Sequence, residues 1–362
     1  MVENYQEKLD KLLHDLRQLE RTGIEIEYRG RKQLLRVILL NFSADNKGIH
    51  EFIGWTLDWD GDAICRMCTM IYADILTKTS LADTTLRTKE EYDRIILNSN
   101  QWQRYGIKEK SCANKFMHFH CMDPYQIDIT HDLFEGHLQF FIPWVLQGLR
   151  RQNPAVHNEF IEIAIADFPY AGLDARNKPL DKIAFSRDKN GNFRIKTTAH
   201  AMQMLTLLLP LILKAQNIIP NCREWNDYLR FRKMLDIFLA PAIVQDDIDA
   251  VKQLIPQHLQ AYIANEAMPG WMTVKLHYML HYPAYMEQLG PLVHNSTIRY
   301  EGRHADLKKV SHNNYNHMNV AKSLMHRNQL SMAGTLLQMK EADYLEKCRA
   351  NHYNTRYLPG LL

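Results

Sequence analysis

The chain has 362 residues, of which 46% are hydrophobic and 23% are charged, so it can form a sizeable core and wholesale disorder is excluded. Its net charge is only +3, so composition alone does not indicate a nucleic-acid-binding protein. The six cysteines do not suggest a disulfide framework, and the longest apolar run, residues 202–213, is too short to cross a bilayer. The start has no signal-peptide-like apolar segment, so we predict a soluble intracellular protein.

The start of the chain predicts one helix followed by strands. Leucines at helical spacing indicate a helix over residues 3–22, and Gly23 is expected to end it. Alternating apolar and charged residues at 24–28 predict a short half-exposed strand. The apolar run at residues 34–40 is typical of a strand buried on both faces. Asp45 would then lie at the C-terminal tip of a buried strand, an edge where ligands and metals commonly bind.

From about residue 70 onward the pattern is helical and shows no internal repeat. The fold class predicted for the whole chain is therefore α+β and mostly helical, with a small sheet-bearing start, a long helical middle and a helical C-terminus. Helical spacing recurs at residues 67–77, 132–149, 198–217, 225–244, 246–266 and 318–348.

Two short motifs are candidates for one shared metal site. Cys65 and Cys68 form a CxxC pair, which sets two thiolates at a separation that tetrahedral Zn²⁺ accepts. His277 and His281 are four residues apart, so on a helix both imidazoles would lie on one face. The cysteine pair alone is equally well explained by two small buried side chains, and the histidine pair alone is better explained by core or surface histidines. Together the two pairs would complete a structural zinc site. A rival group with less regular spacing contains Cys112, His118, His120 and Cys121.

Near the C-terminus, Glu301 lies within a mixed-charge segment. The segment can be read as a solvated helix face. It can also be read as a metal-holding carboxylate whose basic neighbours contact phosphates. Those neighbours are Arg299, Arg303, Lys308 and Lys309.

A further polar motif, IDITHDLFEG, occupies residues 127–136 and contains Asp128 and His131. A helix cap followed by an acidic first turn explains it sufficiently. A polar network that brings His131 close to an active site is the alternative interpretation, and the role of the motif is open at this point.

Taken in order, these motifs resemble the DDE-type DNA transposases of the CACTA–Mirage–Chapaev assemblage. More remotely, they resemble the Transib-related recombinase that cuts antigen-receptor genes. The resemblance spans residues 43–309, and the motifs follow the order found in the family. It is carried by SADNKGIHEFIGW with CRMC, by IDITHDLFEG, by NGNFRIKTTAHAMQMLTLLLPL, and by KLHYMLHYPAYMEQLGPL running into RYEGRHADLKK.

The resemblance implies an incomplete RNase H-like core that is interrupted by a large α-helical insertion with a zinc site. It makes Asp45 the second catalytic aspartate and Glu301 the catalytic glutamate, which would hold Mg²⁺ or Mn²⁺. Asp128 and His131 match the family's D-x-x-H element. The zinc ligands would be Cys65, Cys68, His277 and His281.

The domain organisation that follows from the resemblance has three parts. Residues 1–70 would form the partial core, residues 71–285 the helical insertion, and residues 286–362 the C-terminal helices that carry the glutamate.

One departure from the family concerns the first catalytic aspartate, which lies on the first strand of the family's sheet. The aspartates that precede Asp45 are Asp10 and Asp15, and both fall on the predicted amphipathic helix. Two-metal phosphoryl transfer needs carboxylates that fix both ions. We therefore expect this chain to be inactive in strand cleavage by itself.

Three hypotheses follow. The first is a transposon-derived, DDE-like protein that does not cleave DNA alone. The second is a fragment of an active transposase whose N-terminal part is absent from the sequence. The third is a domesticated, zinc-stabilised module that binds DNA or another protein. For the protein as a whole we expect DNA as the partner, a possible homodimer, no membrane association, no small-molecule substrate and, from the family, a nuclear location.

Overall fold

The structure, a computed structural model, describes residues 5–123, 127–172, 175, 178–179, 183, 185–187, 193–264, 272–312 and 319–338. The fold is mostly helical with small sheets, as the sequence predicts. The chain divides into two compact units, residues 1–296 and residues 297–362. No helix within the described ranges is both long and apolar enough to cross a membrane.

The larger unit contains twelve α-helices and two antiparallel hairpins among its described residues. The helices are α1 (Tyr5–Leu12), α2 (His14–Arg21), α3 (Asn46–Ile53), α4 (Lys89–Ile95), α5 (Trp102–Tyr105), α6 (Leu138–Gln152), α7 (Asn158–Asp167), α8 (Ala199–Ala215), α9 (Arg223–Phe238), α10 (Gln245–Ile263), α11 (Val274–Tyr278) and α12 (Tyr282–Leu289). The strands are β1 (Ile24–Tyr28) with β2 (Arg31–Leu35), and β3 (Phe185–Arg187) with β4 (Phe193–Ile195).

Several tighter or wider helical turns complete the larger unit. A π-helix, Thr130–His137, runs directly into α6. Short 3₁₀ helices lie at Tyr72–Asp74, Leu81–Asp83, Ser99–Gln101, Cys112–Lys115, Met279–His281 and Leu292–Asn295. In the smaller unit the described helices are α13 (Ile298–His312) and α14 (Val320–Gln338).

The predicted N-terminal helix is confirmed, although it is divided into α1 and α2 at Leu13. Leu9 and Leu13 are buried in a core cluster together with Phe52 of α3. Gly23 follows the helix with a φ of 72°, a left-handed conformation that favours glycine at a helix C-terminus. Gln6 connects α1 to α3, because its Nε2 donates to the Phe52 carbonyl at 3.1 Å.

The predicted doubly buried strand at residues 34–40 is wrong. β2 ends at Leu35, and residues 36–45 belong to no strand or helix. Ile38 is 57% exposed and Leu40 is 73% exposed. The apolar run indicated burial, but among the described residues β2 belongs to a two-stranded sheet with β1 as its one neighbour. Burial of such a run on both faces requires a larger sheet with covering layers.

Asp45 is consequently not at the tip of a buried strand. It is the N-cap residue of α3, and its carboxylate accepts a hydrogen bond from the backbone N–H of Gly48 at 2.6 Å. Its side chain is exposed to solvent. α3 itself ends at Gly54, where a φ of 73° places glycine in the left-handed region.

The helical middle of the chain is largely as predicted, with one exception at residues 67–77. That segment contains one 3₁₀ turn, Tyr72–Asp74, and the backbone of its first residues, 67–69, pairs with residues 85–87. The Thr69 N–H donates to the Thr85 carbonyl at 2.9 Å, and Cys68 forms an isolated bridge with Leu86. Backbone groups that are bonded between segments are not available for helical hydrogen bonds.

The helical core contains a buried histidine pair. His137 of the π-helix and His258 of α10 are joined through their Nε2 atoms at 3.0 Å, which requires one neutral ring to donate and the other to accept. Phe141 and Phe231 pack against both rings. Burial lowers the pKa of His258 from 6.5 to about 3 and also lowers the pKa of His137. Both imidazoles are therefore neutral in the folded protein at neutral pH.

This pair predicts an acid-sensitive fold. Because the folded-state pKa of His258 lies below its unfolded value, its contribution to stability is present above pH 6.5 and falls as the pH drops towards about 3. We expect the free energy of unfolding to decrease by up to roughly 1.4 kcal/mol per pH unit across this window from this group. His258→Phe is expected to reduce the slope.

The measurement is chemical denaturation of His258→Phe and of the unmodified chain between pH 4 and 7. His200→Phe, at an exposed position on α8, is the matched control and should leave the slope unchanged. Equal slopes for all three proteins would contradict the assignment.

Candidate metal centre

The CxxC motif forms a buried turn that the surrounding protein braces. Cys65 and Cys68 are fully buried, and the backbone N–H of Met67 donates to the Cys65 Sγ at 3.3 Å. The Arg87 Nε donates to the carbonyl oxygens of Cys65, at 3.0 Å, and of Cys68, at 2.8 Å. The turn is thus fixed by hydrogen bonds to its own backbone as well as by packing.

The two histidines come from the other end of the larger unit. His277 lies in α11 and His281 in the 3₁₀ turn that follows it, and both are buried. The Tyr278 hydroxyl between them donates to the Ile64 carbonyl at 3.4 Å, next to the CxxC turn. This contact holds the histidine segment against the cysteine segment.

The four side chains converge on one point. The Cys65 Sγ lies 3.5 Å from the His281 Nε2, and the Cys68 Sγ lies 3.2 Å from the His277 Nε2. The two Nε2 atoms are 3.3 Å apart, and all four potential ligand atoms lie within 4.8 Å of one another. These residues therefore form a cluster that could hold a metal ion such as zinc.

The separations can be compared with those that a tetrahedral ion imposes. Zn–S bonds of about 2.3 Å and Zn–N bonds of about 2.0 Å place sulfur about 3.5 Å from nitrogen, and two nitrogens about 3.3 Å apart. The Cys65–His281 and His277–His281 separations agree with these values, and the Cys68–His277 separation is slightly shorter. Two thiols and two imidazoles are also a donor set that zinc binds in closed structural sites.

The protonation states suit a cation. Burial raises the pKa of Cys65, but the Cys68 thiol and the two imidazoles outweigh burial, so the pKa lies below the ordinary thiol value. The hydrogen bond with Cys65, together with burial, raises the pKa of Cys68. Burial lowers the pKa of His281, so its ring is neutral. Metal binding must release the remaining thiol proton, and metal affinity should therefore increase with pH.

Arg66, which lies between the two cysteines, is completely buried. Its Nη1 donates to the Asn46 Oδ1 at 2.9 Å, and its guanidinium carbon lies 4.4 Å from the centroid of the Tyr278 ring. A buried cation needs such partners, because desolvation without them is costly. Arg66 thereby connects the metal cluster to Asn46, the first residue of α3 and the neighbour of Asp45.

The same network continues to the π-helix. The Asn46 Nδ2 donates to one carboxylate oxygen of Asp132 at 2.7 Å, and the Tyr282 hydroxyl donates to the other at 3.1 Å. Burial, together with the nearby Asp128 carboxylate, raises the pKa of Asp132 to about 7. Four separate segments of the chain thus meet in one buried polar network next to the metal cluster.

The D-x-x-H motif forms a hydrogen-bonded pair at the start of the π-helix. The fully buried Asp128 carboxylate binds the His131 Nδ1 and also accepts from the backbone N–H of Thr130 at 3.0 Å. The His131 Nε2 faces the Glu135 carboxylate at 3.6 Å. The capping role of Asp128 that the sequence suggests is present, and the pair also orients the imidazole.

The remaining candidate residues fall in other places. Asp45 lies at the exposed start of α3. Glu301, Arg299 and Arg303 are in α13 of the smaller unit, and their side chains lie outside what the structure describes. Lys308 and Lys309, in the same helix, are exposed.

The rival cysteine–histidine group does not form a metal site among the described residues, where the Cys65 cluster is the one group of three or more suitable ligands. His120 instead hydrogen-bonds Asn114 at 3.2 Å and pairs with Asp93 at 3.2 Å. Burial raises the pKa of Cys121 to about 12, which keeps it a neutral core thiol.

Comparison of the chain with models of protein families and with characterised proteins found no match.

Sequence reasoning missed the buried polar residues Asn46, Arg66, Asp132 and Tyr282. A weak signal was present, because an arginine between two buried cysteines must find buried partners. Which partners it finds depends on segments far away in the chain, so the network was not predictable from the sequence.

The cluster predicts bound metal and a loss of metal on mutation. We expect metal analysis of the purified chain to find about one ion such as zinc per molecule. Cys65→Ser should remove most of it and lower the melting temperature, because one ligand and one thiolate charge are lost. Cys222→Ser, at a partly exposed cysteine outside the cluster, is the matched control and should change neither quantity. Unchanged metal content in Cys65→Ser would show that the ligand assignment is wrong.

Proposed function

We propose that this chain is a zinc-stabilised DNA-binding protein related to DDE transposases, and that it does not cleave DNA strands by itself. The observation that carries the proposal is the convergence of the CxxC pair with the histidine pair. Cys65 and His281 are 216 residues apart in sequence, and the family resemblance implies their convergence. Neither composition nor local spacing requires these segments to meet.

Zinc is the metal that this donor set favours. Two thiols and two imidazoles in a closed, buried cluster leave no open coordination position for a substrate, so the ion would have a structural role. It would join the start of the helical insertion, at Cys65, to its end, at His281. Arg66 and Asn46 would transmit this constraint to the start of α3, where Asp45 lies.

The incomplete RNase H-like core also belongs to this proposal. The β1–β2 hairpin is followed by three exposed apolar residues, Val37, Ile38 and Leu40, a composition typical of a strand in a larger sheet. Such exposed apolar edges favour pairing with additional strands.

DNA binding is proposed through the basic residues of α13. Lys308 and Lys309 are exposed on this helix, and Arg299 and Arg303 precede them in its sequence. Exposed lysine and arginine side chains bind phosphates and release counterions from DNA. Glu301, in the same helix, would supply a carboxylate for Mg²⁺ or Mn²⁺.

Inactivity in strand cleavage is supported by the surroundings of Asp45. Two-metal catalysis needs several carboxylates around the ions. The Asp45 carboxylate caps α3, and the two aspartates that precede it, Asp10 and Asp15, lie on α1 and α2 instead of on a strand.

The DNA-binding proposal predicts a defined effect of charge removal. Lys308→Gln combined with Lys309→Gln should weaken binding to a duplex and reduce the salt dependence of log K by about 2, since about one counterion is released for each phosphate contact. Fluorescence anisotropy at several salt concentrations measures both quantities.

The matched control is Lys214→Gln combined with Lys233→Gln, two exposed lysines on α8 and α9. Their removal should alter the salt dependence much less. Absence of duplex binding by the unmodified chain at low salt would overturn the proposal of DNA binding.

A nicking assay tests the proposed inactivity. We expect no Mg²⁺- or Mn²⁺-dependent nicking of supercoiled DNA above background. Asp45→Asn is the informative variant, because asparagine caps helices about as well as aspartate and the fold should be retained. Metal-dependent nicking that Asp45→Asn abolishes would instead favour the hypothesis of an active transposase.

A further inference from the structure

A cavity of about 330 Å³ lies beside the start of α3 in the larger unit. Its lining comes from five places in the fold: α3, the loop after it, the π-helix with the start of α6, β4, and α11. Asn46, the residue that follows Asp45, contributes to one wall. The volume falls at the lower end of the range typical of small-ligand pockets, so it suits one compact ligand rather than a folded segment.

Two aromatic rings line the cavity, from Trp59 and Phe140. The Trp59 ring packs at a tilt against the His50 ring, with ring centroids 4.4 Å apart. His50 is itself buried, and its Nδ1 is hydrogen-bonded to the Thr56 carbonyl at 2.7 Å. The tryptophan is therefore held in place before a ligand arrives, which suits it to stacking against a planar ring.

Two cationic side chains line the same cavity, from Lys275 and Arg194. The Lys275 Nζ donates to the His131 carbonyl at 2.8 Å, and the Arg194 Nε donates to the Ser186 Oγ at 3.3 Å. In the described part of the chain neither cation has a carboxylate partner within ion-pair distance. Each therefore retains further N–H donors and a full charge for an anionic ligand.

The position of Lys275 is set by close packing. Gly136 of the π-helix lies against the lysine stem, and a Cβ at Gly136 would come within 2.8 Å of the Lys275 Cδ. Among the described lining residues Glu135 is the one carboxylate, and it faces the His131 Nε2 at 3.6 Å. With two cations against one carboxylate, and His137 neutral, the lining carries a net positive charge.

We infer that this cavity binds a single nucleotide unit, with the base against Trp59 and Phe140 and the phosphate on Lys275 and Arg194. The inference rests on the proposed function, since it assigns a place for one nucleotide of the DNA beside Asp45. Polar side chains of Gln139 and Thr273 also line the cavity and provide hydrogen-bonding groups for base edges. Aromatic faces combined with cations are the recurrent means of binding unpaired nucleotides.

Isothermal titration of the full, metal-loaded chain tests the inference with three probes: dAMP, deoxyadenosine and inorganic phosphate. We expect saturable binding of dAMP, with deoxyadenosine and phosphate each at least about 10-fold weaker, because each lacks half of the contacts. Lys275→Met preserves the stem that packs on Gly136 and should weaken dAMP about 10-fold while leaving deoxyadenosine unchanged. Arg194→Gln, on a different element, should behave in the same way.

Trp59→Leu completes the variant set and should weaken dAMP and deoxyadenosine alike. Lys214→Met, at an exposed lysine away from the cavity, is the matched control and should bind dAMP as the unmodified chain does. Melting temperature and metal content of every variant show whether it is folded. Because Lys275 and Arg194 lie on different elements, one folded variant is sufficient for the test.

A single-stranded oligodeoxyadenylate distinguishes the source of the nucleotide. Tighter binding of the oligonucleotide than of dAMP, lost in Lys275→Met, identifies a DNA strand, and the reverse order identifies a free nucleotide. The inference is overturned if neither probe binds saturably, or if binding is unaffected in both Lys275→Met and Trp59→Leu. If duplex binding through Lys308 and Lys309 persists in that case, the proposed function survives while this inference fails.

Discussion

The rest of the larger unit depends on one constraint: the cysteine pair and the histidine pair meet at one site. Cys68 and His277 are separated by 209 residues, yet their side chains are in contact in a buried site. Closing a loop of this length costs conformational entropy, and a bound metal can offset that cost through strong ligand bonds. The helical segment between the two motifs then has both of its ends held at the same site.

Buried polar side chains next to the cysteine–histidine cluster connect it to the start of α3 and to the π-helix. Arg66, Asn46 and Asp132 form a continuous chain of hydrogen bonds from the CxxC turn to the π-helix. In a low-dielectric interior a hydrogen-bonded network of this kind favours one arrangement, because each unpartnered alternative is costly. The same network fixes one wall of the cationic, aromatic cavity through Asn46, and it holds the start of α3 where Asp45 is exposed.

The mostly apolar residues 34–40, unlike the buried network, lack the surroundings that their composition predicts. Their composition is that of a core strand, but their surroundings do not supply a core, and Leu40 is 73% exposed. A strand is buried only when neighbouring strands pair with it and other layers of the fold cover it. An apolar strand sequence by itself therefore does not ensure burial. Because this strand is absent, Asp45 is the N-cap residue of a helix and not, as predicted, the tip of a strand. Asp45 still directly precedes Asn46, which belongs to the buried network.

The sequence by itself determined the helical character, most helix positions from residue 132 onward, and the identities of the four cluster residues, because periodicity and ligand spacing are local properties. It failed at residues 67–77 and 34–40, where backbone pairing and exposure depend on distant segments. Only the tertiary structure decided that Arg66 bridges to Asn46, that Asp128 orients His131, and that Trp59, Lys275 and Arg194 line one cavity. These contacts join residues far apart in sequence, and no local pattern encodes which distant partner a buried charge or an aromatic ring will meet.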